Sequence, residues 1–456
     1  MSLLIKNGDV ITAENRQTQD IRCREGRIVE LGMDLEPAGE ELLDASGCLV
    51  FPGGVDPHVH MQLPVAGTVS SDDFETGSAA ALAGGTTSLI DFVHPERGES
   101  LPEALEARCR EAQDSVCDWG LHMAVTWWGE RTAEWMAQCV EQGVPSFKAY
   151  MAYKETVGLD DTDLVRVMQT VADLGGLLLV HAEHGEAIEH LGARFATDGK
   201  TEPRYHARSR PAVLEGEATN RAVTLAGVLG TPLYIVHVTC REAATAVALG
   251  RQRGWPVSGE TCPQYLLLED SVYDKPDFEA AVYVIAPPIR PPGHQEALWS
   301  ALQNGDLSTI GTDHCPFTME QKRLGEDDFR RIPGGAAGIE HRLALLWTYG
   351  VGEERLDPGH FVDLVSTQPA RLCGLYPRKG AVAVGSDADL VLWDPEATST
   401  ISAATHRHNS DRSIFEGFEV RGLPTIVIAG GEVRYRDGSL RVESGCGQYL
   451  ARRLPG

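Results

Sequence analysis

Six side chains of types that bind transition-metal ions are strung through the chain in the order His-x-His, Lys, His, His, Asp. They are His58 and His60 in D-P-H-V-H, Lys148 in S-F-K-A-Y, His181 in L-L-L-V-H-A-E, His237 in Y-I-V-H-V-T and Asp313 in G-T-D-H-C-P. Each falls late in a short apolar run that reads as a strand. Two imidazoles two residues apart share one face of a strand, and neutral imidazole suits zinc and its neighbours in the transition series. A single His-x-His pair is common without a metal. With four further candidates at other strand ends, a binuclear metal centre is the better reading. Lys148 is the odd member of the set. The bland account is a lysine whose stem passes apolar neighbours to reach solvent. A buried lysine, however, has its pKa lowered and is more often the neutral amine. A neutral amine can add carbon dioxide to become N6-carboxylysine, an anion whose two oxygens can bridge two cations.

Two divalent cations and a carboxylate define a reaction class. The cations lower the pKa of a shared water and polarise a carbonyl. Asp313 can ligate one cation, take a proton as general base and return it to a leaving nitrogen as general acid. Tyr153, in A-Y-M-A-Y-K, can donate a hydrogen bond to a developing oxyanion; spacing alone equally allows plain packing. His94 and His184 read as loop or supporting residues. His314, next to Asp313, faces the other side of its strand.

The elements that must carry these residues form a regular series. Eight apolar runs alternate with amphipathic helical stretches between residues 53 and 375: V-D-P-H-V-H, T-S-L-I-D-F-V, L-H-M-A-V-T, S-F-K-A-Y-M, L-L-L-V-H-A, L-Y-I-V-H-V, P-V-S-G-E-T and S-T-I-G-T-D-H. Eight β/α alternations predict an α/β chain built on a (β/α)8 barrel, whose active sites lie at the C-terminal ends of the strands. The metal-binding types were found by chemistry and the strands by hydropathy, and both point to that end. Residues 1–52 and 376–440 are β-rich with Asn-Gly, Glu-Gly and Gly-Gly punctuation. They predict one small β-sandwich assembled from both termini, followed by a C-terminal arm over 441–456.

Composition narrows the function. The chain has 456 residues, 42% of them hydrophobic, and a formal net charge of −26, so a packed core is expected and disorder is not. That charge repels phosphate backbones and anionic lipids, which argues against nucleic-acid and membrane partners. No run approaches the ~18 apolar residues of a membrane span. The N-terminal apolar run is broken at Lys6, unlike a signal peptide. Ten cysteines include no C-x-x-C pair, which leaves a structural zinc cluster without support and fits a cytoplasmic protein.

The longer segments resemble the D-hydantoinase/dihydropyrimidinase branch of the amidohydrolase superfamily. They include P-G-G-V-D-P-H-V-H-M-Q-L-P, S-F-K-A-Y-M-A-Y-K, Y-H-A-R-S-R-P, G-E-T-C-P-Q-Y-L and T-D-H-C-P-F. The resemblance spans nearly the whole chain. It implies a lysine carboxylated at Lys148 and two metal ions per subunit, zinc first, with manganese or cobalt as alternatives. It implies hydrolytic opening of a small cyclic ureide, with Tyr153 against the substrate carbonyl. It also implies a homotetramer or homodimer, with the tail G-C-G-Q-Y-L-A-R-R as an arm to a neighbouring subunit. Ring contacts map to Leu63, Ala286 and Gly334. The family usually has Ser before Pro-Pro where this chain has Ala286-Pro287-Pro288, and Pro-Asn-Gly where it has Pro333-Gly334-Gly335. In the family, backbone groups hold the ring at both places, and the resemblance implies the same here.

Other readings are separable by residue. A dihydroorotase is expected to carry Arg two positions after the second His, as a fork for the ring carboxylate; here that position is Gln62, followed by apolar Leu63, Pro64 and Val65. An allantoinase-type hydrolase is the nearer alternative, and L-P-V-A-G weighs towards an apolar or unsubstituted ring carbon. A non-catalytic scaffold relative is expected to lack the ligand set, which is complete here. A phosphotriesterase-like hydrolase shares the metal logic but not the longer segments.

Overall fold

The computed structural model describes residues 2–454. All eight expected runs form strands: Gly54–Val59, Thr86–Val93, Asp118–Ala124, Ser146–Tyr150, Leu177–His181, Leu233–Ile235, Val257–Thr261 and Thr309–Ile310. They pair in chain order in one parallel sheet. The eighth strand meets the first at its C-terminal end, where Val59 bridges His314 and Asp313 N–H donates to the His58 carbonyl at 2.9 Å. The result is a nearly closed barrel. Its strands are buried along almost their whole length, as expected of a parallel sheet covered by helices.

The helical periods become helices between the strands. D-D-F-E-T-G-S-A-A-A-L-A folds as Phe74–Ala83, started by a capping box between Asp73 and Thr76. The long stretch before the sixth strand is Ala212–Leu229, ended by Gly230 at φ +71°, a left-handed position that glycine fills without steric cost.

Both termini build a second, mixed sheet of nine strands. Its path runs from Ser439–Leu440 through Glu432–Arg436, Glu419–Ala429, Leu390–Thr400, Leu49–Pro52, Ser2–Ile11 and Arg16–Arg24 to Arg27–Gly32, with Glu41–Asp44 paired to Ser2–Ile11. The sequence predicts a sandwich here; the hydrogen bonding is one continuous sheet. Leu3, Ile21, Ile28, Val50, Leu390 and Ile428, drawn from across its width, share one buried cluster. The sheet therefore curls over its own core. Residues near the C-terminus pack on their own barrel. Leu450 N–H donates to the Trp119 carbonyl at 2.7 Å, and the buried Arg452 guanidinium donates to Ser146 Oγ at 2.8 Å and to the Leu121 carbonyl. No helix among the described residues is long and apolar enough to cross a membrane.

Candidate metal centre

The barrel brings the six sequence-selected residues to one end. The Phe92 ring, at the end of the second strand, is the common neighbour of three of them. Its centroid lies 4.9 Å from the His58 ring, 4.8 Å from the His60 ring and 5.0 Å from Lys148 Nζ. His58 and His237 are 5.4 Å apart between ring centroids, and His237 and His181 4.7 Å. Asp313 Oδ1 lies 3.2 Å from Nε2 of both His58 and His60. Tyr153 completes the wall, 5.3 Å from the His181 ring.

Three of these residues stand beyond the strands that sequence reasoning put them on. The first strand ends at Val59, just before His60, the sixth at Ile235 and the eighth at Ile310. His237 and Asp313 follow in left-handed backbone, at φ +41° and +54°, and Tyr153 does the same at +60°. Non-glycine residues adopt this region at a cost, and such positions concentrate at functional sites. Here tertiary hydrogen bonds hold them. His237 N–H donates to Glu260 Oε1 at 3.1 Å, and Asp56 accepts from Thr312 N–H and Oγ1 just before Asp313.

The polar partners fix which imidazole nitrogens face the centre. His58 Nδ1 is 2.7 Å from Glu260 Oε1, so it carries the proton and leaves the Nε2 lone pair turned inward. His181 Nε2 is 2.8 Å from Glu183 Oε2, so its Nδ1 lone pair is free; that atom lies 3.0 Å from His237 Nε2. If His237 Nε2 holds a proton, Nδ1 is a buried acceptor with no partner; if it does not, two lone pairs face each other. Among the described residues, His58 Nε2, His60 Nδ1 and His237 Nδ1 have no hydrogen-bond partner despite burial. His58 Nε2 and His60 Nε2 converge on Asp313 Oδ1, and His181 Nδ1 and His237 Nε2 face each other; imidazole nitrogens gathered with a carboxylate are a donor set that fits divalent cations.

The electrostatics agree. Burial holds His58 and His237 well below the ordinary histidine range, so both are neutral. Burial likewise lowers the Lys148 amine, with Asp313 and Glu260 acting against it. For Asp313 burial works upward, but His58, His60 and Lys148 outweigh it and lower the carboxyl.

Sequence reasoning missed Glu260 and the pair Glu183–Arg210. Glu260 is the next-to-last residue of the seventh strand and is fully buried. Besides His58 and His237 N–H, it accepts from Tyr234 Oη at 2.8 Å. Gly311 makes room for it, since a Cβ there would lie 2.6 Å from Glu260 Oε2. The only sequence mark is a carboxylate near the end of an apolar strand, in G-E-T, a mark that solvated strand ends share. Glu183 holds His181 and is paired with Arg210, whose guanidinium also lies 5.4 Å from the Tyr153 ring. Replacing Glu260 with leucine should weaken metal retention by roughly 10- to 100-fold, the usual effect of removing a group that orients a ligand. Competition against a chelator measures it; retention equal to the parent protein would remove Glu260 from that role.

His94 Nε2 bonds Tyr150 Oη at 2.7 Å, His184 caps the helix Gly185–Thr197, and His314 pairs with Asp72 at 3.0 Å, away from the centre. Leu63 opens the hairpin Pro64–Val69 and is tied to Ser70. Ala286 and Gly334 lie on two segments joined by the Gly335 N–H bond to the Val284 carbonyl, 3.0 Å. A separate group, His341, His406 and His408, has its ring nitrogens close together. Hydrogen bonds alone account for two of its members: Glu340 N–H donates to His408 Nε2, His408 Nδ1–H to His406 Nδ1, and His406 Nε2–H to the Ser410 carbonyl.

A barrel with this donor set at the C-terminal ends of its strands defines a metal-assisted hydrolase class. The chain belongs to the amidohydrolase family, which it matches over residues 49–434. It is 45% identical to a D-hydantoinase of Geobacillus stearothermophilus, over 99% of this chain and 97% of that one, and 42% identical to a dihydropyrimidinase of Rattus norvegicus, over 99% and 88%. A crystal structure of D-hydantoinase superimposes with a TM-score of 0.98 at 45% identity, covering 99% of both chains. The L-hydantoinase of Arthrobacter aurescens superimposes at 0.90 with 28% identity, again over 99% of both.

Proposed function

We propose that the protein opens the cyclic amide of 5,6-dihydropyrimidines, 5-substituted hydantoins or both, giving N-carbamoyl amino acids. Cyclic amide hydrolysis is the activity class named for relatives that match this chain from end to end. The observation that carries the site assignment is the gathering of imidazole nitrogens with a carboxylate: His58 Nε2 and His60 Nε2 each lie 3.2 Å from Asp313 Oδ1, and His181 Nδ1 lies 3.0 Å from His237 Nε2. His58, His60 and Asp313 would hold one cation, His181 and His237 a second, with Lys148 as N6-carboxylysine between them. Zinc is the first choice, and manganese or cobalt also suit these donors. Two cations bound there would supply Lewis acidity and a water activated at neutral pH.

The chain's own groups do the rest. Asp313, with its carboxyl lowered, is ionised at neutral pH and can accept the proton of the attacking water at a carboxylate oxygen. The same oxygen then returns that proton to the ring nitrogen as the C–N bond breaks. The Tyr153 phenol is raised by burial and so remains protonated, able to donate to the carbonyl oxygen as charge grows. Glu260 and Glu183 keep His58 and His181 in the productive tautomers. Backbone around Ala286 and Gly334, with Leu63 at the rim, would hold the ring. Assembly into homotetramers or homodimers in the cytoplasm belongs to the same proposal.

Parallel rates on dihydrouracil, hydantoin, phenylhydantoin, allantoin and dihydroorotate test the substrate. Dihydrouracil or a hydantoin should be the best substrate, and dihydroorotate should be poor, because Gln62 offers no cationic fork to its carboxylate. Preference for allantoin or dihydroorotate would overturn the assignment.

A further inference from the structure

Lys322 ends the short helix Met319–Lys322 and is 2% exposed. Among the described residues no carboxylate pairs with it. Its Nζ instead donates to three backbone carbonyls: Val284 at 3.0 Å, Pro333 at 2.8 Å and Gly335 at 2.8 Å. An ammonium has three donors, and all three are used. The acceptors come from two segments far apart in sequence. One leads to Ala286, two residues beyond Val284. The other contains Gly334, between Pro333 and Gly335. The second segment continues to Ala336, which bridges His314 and accepts from Cys315 N–H at 3.0 Å. Contacts thus run from Val284, two residues before Ala286, through the Lys322 ammonium to the residue after Asp313.

Three carbonyl oxygens converging on one buried point repel one another unless donors sit between them. Burial pulls the Lys322 pKa down, and Cys315 acts against it; the three carbonyls also favour the protonated form by accepting its hydrogens. Gly335 has no room for a side chain, since a Cβ would lie 2.3 Å from the Cys315 carbonyl. The knot therefore has little slack.

We propose that Lys322 is a positioning residue that sets the spacing between the two backbone segments facing the substrate ring, and so governs ring affinity and the choice between five- and six-membered rings. This rests on the cyclic ureide reading above. Removing the ammonium leaves the Pro333 and Gly335 carbonyls without their donor, and such groups seek water or new partners.

Lys322→Met and Lys322→Gln, each in metal-loaded enzyme, provide the test, with metal content and steady-state constants on hydantoin and dihydrouracil. For Lys322→Met, metal content should stay at the parent level, KM should rise on the order of tenfold or more, and the hydantoin-to-dihydrouracil ratio of kcat/KM should change, with kcat affected less. Lys322→Gln, which restores two N–H donors, should fall between. Parent KM and ring ratio in either folded variant would overturn the proposal, as would loss of activity that merely follows loss of metal. If Lys322→Met does not fold, Lys322→Gln decides by the same criteria. Parent enzyme inactive on every ring would sink the substrate reading instead, so the two failures are distinguishable.

Discussion

Lys148→Ala is expected to leave the fold intact, strip the protein of metal and reduce cyclic amide hydrolysis by about a thousandfold or more. The size follows from what the cations contribute: bound water loses several units of pKa, and that gain vanishes with the metals. The selectivity follows from position. Lys148 is buried within the fourth barrel strand, with Nζ 5.0 Å from the Phe92 ring that also abuts His58 and His60. A bare ammonium there would repel cations, whereas a carbamate attracts two. Short carboxylic acids should partly restore both metal and activity in Lys148→Ala, by filling the gap with an equivalent pair of oxygens. Lys148→Arg should not be rescued, because its charge is fixed and the gap is filled. Metal analysis and activity, with and without added propionate, check the set. Full activity in Lys148→Ala would exclude the bridging role.

Asp313→Ala is the second large effect. Its carboxylate is the group placed against both His58 and His60 at 3.2 Å, and it is the only proton carrier assigned to the ring nitrogen. General acid–base catalysis contributes roughly 10²- to 10⁴-fold, and turnover should fall within that range. Metal loss should be partial, since four imidazoles and Lys148 remain. Single-turnover rates at matched metal content separate the two contributions. Turnover equal to the parent enzyme would remove Asp313 from proton transfer.

These two residues also mark how far the sequence could be read. Lys148 stood out because a lysine inside S-F-K-A-Y contradicts the apolar strand around it, and the fold buries it instead of leading it to solvent. All eight barrel strands were legible for the complementary reason: fully buried parallel strands are almost continuous apolar runs. The backbone at His237 and Asp313 was not. The strand patterns give no sign of a break at either position, yet the chain turns left-handed there, and tertiary bonds to Glu260 and the His58 carbonyl hold that turn. Glu260 was hidden because a carboxylate in G-E-T has no local feature that separates it from a solvated strand end. Lys322 was hidden by its neighbours, since M-E-Q-K-R-L reads as an exposed charged helix and only the fold buries its fourth residue. For the terminal sheet, local patterning predicted the strands but not that a single hydrogen-bonded path joins them around one core.

The central claim is a carbon-dioxide adduct on Lys148. Carbon-13 NMR of metal-loaded, fully active enzyme prepared with labelled bicarbonate tests it most directly. One carbamate signal per active chain is expected, absent from Lys148→Ala and lost together with activity when carbon dioxide and metal are withdrawn. Fully active enzyme with no carbamate signal would contradict it.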